Sequence, residues 1–118
     1  MAIALWIVEG LLGLIFVMTG SFKLFQSKEK IIASGGTWAE DFAPGLIKII
    51  AALELISGFT VIVPRLLWHA RYFTFMGAAT IALIMVGSTL THIRRKEFQH
   101  AIINLVFLLM AVFVAWVI

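Results

Sequence analysis

No cysteine occurs anywhere in the chain, and only two of its 118 residues are proline. Without thiols there is no disulfide, no dithiol redox motif, no iron–sulfur cluster and no thiolate metal site. Charge is scarce as well. Asp, Glu, Lys and Arg make up 13% of the residues, against ~25% in a soluble domain. Apolar residues supply 63%, and the mean hydropathy is +1.10. So little polar material cannot cover a water-facing surface. These shortages exclude an ordinary soluble enzyme, a disordered segment and a nucleic-acid module, so no nucleic acid is expected as a partner. The net charge of +3 then reports membrane topology rather than nucleic-acid binding.

What is present is a set of four long apolar runs, at about 3–25, 45–63, 72–92 and 100–118. A helix needs ~20 mostly apolar residues to cross a ~30 Å hydrocarbon layer, and none of the runs alternates as a barrel strand would. The expected fold is all-α: a single transmembrane domain over 1–118, an integral membrane four-helix bundle with antiparallel up-down topology and the lipid bilayer as its surroundings. Met1-Ala2 supplies no basic n-region, and the first run lacks a small-residue cleavage site. It is therefore expected to stay as a helix rather than to be removed as a signal peptide. The second helix is expected to close at Val63-Pro64, and Gln26–Pro44 reads as a long polar loop.

The end carrying both termini is called side A, the other side B. Side A loops contain Arg65 and Arg71, whereas side B loops contain Lys28, Lys30, Arg94, Arg95 and Lys96. The positive-inside rule places side B in the cytoplasm and both termini outside, as in a prokaryotic inner membrane. Trp6, Trp68 and Trp116 fall at side A as an aromatic belt. His69, beside Trp68, is expected at the same interface.

Intramembrane polar residues are costly and mark function by default. Glu9, Gly13, Phe16, Gly20 and Lys23 share one face of the first helix, and Ile47, Ala51, Glu54, Gly58 and Val61 one face of the second. Gly77, Thr80, Ile84, Gly87/Ser88 and Thr91/His92 align on the third, and His100, Asn104, Leu108, Ala111 and Ala115 on the fourth. Small residues on such stripes let helices approach closely, so the four stripes are expected to face one another. Helical rise puts Lys23 ~3 Å, Asn104 ~5–8 Å and Glu54 ~12–14 Å below side B. Lys23, Glu54, His92 and Asn104 are thus the candidates for one polar pocket in the side B half. Glu9 lies ~9 Å below side A, with no basic residue in the apolar runs at its level. It is expected to be a neutral carboxyl bonded to a hydroxyl or the backbone, since an isolated buried carboxylate neutralises. No metal site is expected. His92 and His100 sit near an interface, where histidines are more often wet loop-end residues than haem or metal ligands.

The ordered segments Gly20-Ser21-Phe22-Lys23-Leu24-Phe25, Trp38, Ala43-Pro44, Lys48 to Gly58, Val63-Pro64 and Thr89-Leu90-Thr91-His92 resemble the DoxX-like family of small four-helix membrane proteins. The resemblance runs from about Gly10 to the C-terminus. Lys23, Glu54 and His92 match the family pattern residue by residue, whereas Glu9 stands where many members have a basic residue. The resemblance implies the four-helix fold. It also implies two kinds of function, because distant relatives are associated with thiosulfate:quinone oxidoreduction and vertebrate relatives act as membrane assembly factors.

Three functional readings remain open at the level of sequence. In the first, a quinone enters between the helices and Lys23, Glu54 and His92 bond or protonate it. A redox partner subunit or bound cofactor then carries the electrons. In the second, the protein is a noncatalytic scaffold, chaperone or complex subunit whose buried polar pairs fix helix register. In the third, it is a proton-coupled small-molecule transporter using Glu9. A homodimer is the expected assembly, two-fold pairing being the commonest closed symmetry.

Overall fold

The fold is that of a computed structural model describing residues 2–34, 36–68 and 71–118. His69 lies outside the described residues, as does the side chain of Trp68. The elements are α1 (Ala2–Phe25), α2 (Lys28–Ala33), a 3-10 turn (Thr37–Asp41), α3 (Pro44–Trp68), α4 (Arg71–Arg94) and α5 (Phe98–Val117), with no strand among the described residues. Apart from its first and last turns, a helix satisfies its backbone polar groups within its own segment, which lipid requires of any spanning element.

Four of these helices are long and apolar enough to cross a membrane, and the molecule measures 40 × 26 × 18 Å. The long axis matches the ~40–45 Å of a bilayer with its headgroups. The outside of the bundle is as apolar as the inside. Leu14, Met18, Ile49, Ile56, Leu83, Leu90, Leu105 and Leu109 are all exposed, around a core that includes Leu12, Phe16, Val61, Ile81, Ala111 and Val114. An apolar surface of this extent is a lipid face. The chain is a multi-pass integral membrane protein with four membrane-spanning helices.

Contacts run around a ring, α1 to α3, α3 to α4, α4 to α5, and more thinly α5 back to α1. The α1–α3 register is antiparallel and is set by glycine. A side chain at Gly20 would meet the backbone N of Leu55 at 2.6 Å, and one at Gly58 would meet the carbonyl of Gly13 at 2.8 Å. Only glycine permits that approach. Phe16 and Phe107 meet edge to face at 5.8 Å between α1 and α5.

Three expectations are corrected. Helix α3 does not stop at Val63 but continues through Pro64 to Trp68. Proline forfeits one backbone bond there, and the extra turn carries Arg65 into the bundle, where it finds an acidic partner. The segment expected as a polar loop folds into a cap. Ser27 Oγ accepts from the amide of Lys30 at the start of α2, and Ile31, Ala39 and Ile47 form a small core beneath Trp38 and Phe42. On α4 the buried residues are Thr74, Gly77, Ala78, Ile81, Met85 and His92, a face rotated from the expected stripe. Gly87 is not at a close contact, because a side chain there would meet nothing within 4 Å.

Candidate functional site

Lys23 reaches the site from the last turn of α1. The ammonium of Lys48 donates to the carbonyls of Lys23 (3.0 Å), Leu24 (2.6 Å) and Gln26. It thereby satisfies acceptors that a helix C-terminus leaves without partners. Lys23 does not extend to the headgroups. Its Nζ donates to Glu54 Oε1 at 3.0 Å and stands 5.1 Å from the centre of the Trp38 ring, within the range of a cation–π contact. Glu54 is 2% exposed, and its other oxygen, Oε2, has no hydrogen-bond partner.

Asn104 on α5 donates through Nδ2 to Ser88 Oγ on α4 at 2.8 Å. His92 is buried, with Nδ1 2.8 Å from Glu97 Oε1 and its ring stacked on His100 at 5.1 Å. An ionised carboxylate accepts only, so in the Nδ1–H tautomer His92 donates to Glu97 and Nε2 is left as an acceptor. Glu97 is brought there by the way α4 ends. The amide of Glu97 bonds the carbonyl of His92 at 2.8 Å and that of Lys96 bonds Ile93 at 3.0 Å, while Lys96 takes φ 61°. This is a Schellman turn, with lysine at the left-handed position that glycine usually fills.

A cavity of about 370 Å³ lies within this half of the bundle, and Lys23, Glu54, His92 and Asn104 all line it, together with Trp38, Phe42 and His100. The two residues from the cap close one wall. The cap is fastened to the α4–α5 turn by Arg95, which pairs with Glu40 at 2.9 Å and Asp41 at 3.0 Å, and by Arg94 with Asp41 at 3.3 Å. Hydrogen bonds to Asp41 and then Glu40 push the Arg95 pKa further above its ordinary value, so the fastening charge is permanent. Of the four expected site residues, Lys23 and Glu54 bond to each other, while Asn104 and His92 bond to Ser88 and Glu97 instead.

At side A the expectation for Glu9 is corrected. Its Oε1 accepts from Arg65 Nη1 at 2.5 Å, with side-chain exposures of 0% and 10%. The guanidinium lies 3.9 Å over the Trp6 ring. Glu9 is therefore ion-paired rather than isolated, which gives the transporter reading no support, because a guanidinium does not release its proton. The sequence does hold a signal for Arg65. The stripe Glu54, Gly58, Val61 continues to it in steps of 4, 3 and 4, provided the helix is carried past the proline. Glu97 has no such signal, since it lies beyond the end of α4. Among the described residues no group of three or more His, Asp or Glu is placed to hold a metal ion.

The family model described as the DoxX-like family matches residues 7–114. No curated protein and no solved structure matches the chain. The lysine, glutamate and histidine that line the cavity are the same residues that carry the resemblance in sequence, and with a match across nearly all of its length the chain belongs to the DoxX-like family.

Proposed function

We propose that this protein binds a quinone-type molecule in the side B cavity as the membrane subunit of a quinone-linked redox system, with side B facing the cytoplasm. The observation that carries the reading is that Glu54, whose buried Oε2 has no hydrogen-bond partner, lines a cavity together with Lys23, His92 and Asn104. A buried polar oxygen without a partner is costly, and a ligand headgroup in the cavity removes that cost. The remaining wall is mostly apolar, with Phe42, Ile50, Leu83 and Ile103, as suits a ring flanked by a few fixed polar groups. Lys23 donates to a headgroup oxygen, and His92, oriented by Glu97, exchanges a proton with it. The chain has no thiol to carry electrons, so they pass through a partner subunit.

The test is a lipid extract of the purified protein together with binding of a short-tailed quinone. Co-purified quinone, and micromolar binding weakened at least tenfold by Lys23→Met, is the expected result. An extract free of quinone, with no binding at any concentration, would overturn it. A reporter fused after Ile118 tests the orientation and should read as extracytoplasmic. A second reading, the noncatalytic subunit, is favoured by one observation. Both buried ion pairs join the same two helices, α1 and α3, as a register-fixing staple would.

A further inference from the structure

We infer that the cavity selects the reduced, hydroxyl-bearing form of its ligand over the oxidised, carbonyl-bearing form, with Glu54 as the selecting residue. The inference rests on the quinone-type reading of the cavity and adds which redox state is held.

The argument is an account of donors and acceptors. A carboxylate accepts hydrogen bonds and donates none. Glu54 Oε1 is occupied by Lys23 Nζ at 3.0 Å, and Oε2 is buried without a partner. The neighbouring polar groups turn elsewhere, Asn104 Nδ2 donating to Ser88 Oγ and His92 Nδ1 standing against Glu97, and none of them bonds Oε2. A donor brought by the ligand would satisfy Oε2. A hydroquinone and its quinone have nearly the same size and ring, so an apolar wall cannot separate them. They differ in the hydroxyl proton. A hydroxyl donates to Oε2 in a charge-assisted bond, and its oxygen still accepts from the Lys23 ammonium, which has three N–H groups. A carbonyl at the same place sets a lone pair against the carboxylate, leaves Oε2 unsatisfied and adds repulsion. Sites built to bond a substrate hydroxyl reject analogues that lack it far more strongly than sites that judge size alone. The protein therefore takes its ligand from a reaction that reduces the ring and hands it to one that oxidises it.

The experiment compares tetramethyl-1,4-benzoquinone with its hydroquinone, kept reduced under anaerobic conditions, by calorimetric titration of the purified protein in nanodiscs. The hydroquinone should bind at least about tenfold more tightly. Glu54→Gln, whose amide both donates and accepts, should bring the ratio close to one. The ratio is read first on the unaltered protein, so the test stands even if the variant does not fold. Equal affinities, tighter binding of the quinone, or an unchanged ratio in folded Glu54→Gln would overturn the inference while leaving the cavity's quinone-type reading intact. Failure of both forms to bind would overturn both.

Discussion

Two ion pairs bridge α1 and α3 at opposite ends of the bundle. At side A, Glu9 meets Arg65 beneath the Trp6 ring, with side-chain exposures of 0% and 10%. At side B, Glu54 meets Lys23, exposed 2% and 24%, on the wall of a cavity of about 370 Å³. Each carboxylate leaves one oxygen without a partner. The chemistry of the cation follows the surroundings. Arg65 is planar, permanently charged and stacked on an aromatic face, as suits a sealed tie. Lys23 is a compact ammonium with spare donors beside open space, as suits a site that must accept a ligand. Between the two pairs the helices touch at Gly13, Gly58 and Gly20, so the register that makes one pair also makes the other.

The largest expected effect comes from breaking the sealed end. Arg65→Met should lower stability by about 3–5 kcal/mol, the usual cost of stranding a buried charge, and leave ligand binding intact in whatever protein folds. Thermal unfolding in detergent measures it, and a loss below that of Lys23→Met would erase the distinction between the two ends. Next is the glycine contact that sets the shared register. Gly20→Ala should cost about 1–3 kcal/mol, because its methyl would press on the Leu55 backbone at 2.6 Å. Gly87→Ala, facing open space, should leave the melting temperature unchanged and weaken ligand binding by narrowing the cavity. A small effect of opposite sign is expected at the turn that delivers Glu97. Lys96→Gly should raise stability by about 1 kcal/mol by relieving a left-handed lysine, with His92 and the cavity undisturbed. A fall in stability would show that the lysine side chain, rather than the backbone, holds the turn.

The side B pair is legible in the sequence because Lys23 and Glu54 lie on small-residue stripes at compatible depths. The side A pair is hidden by Pro64, which reads as a stop although the helix continues through it. A membrane helix tolerates that interruption because its surroundings offset the lost bond. Gly87 shows the limit of stripe reasoning, since a small residue at helical spacing serves a close crossing and a cavity wall equally well. The partnership of His92 with Glu97 depends on a Schellman turn with no glycine to announce it. The cap is hidden by its polar composition, because Ile31, Ala39 and Ile47 are too far apart in sequence to show a period.

The division of labour between the two carboxylates is tested most directly by measuring, side by side, the melting temperature and the hydroquinone affinity of Glu9→Gln and Glu54→Gln. The account predicts that Glu9→Gln lowers the melting temperature more and keeps the affinity of the unaltered protein, while Glu54→Gln keeps more of its stability and loses at least about tenfold in affinity. Two variants that lose stability equally and bind alike would contradict it.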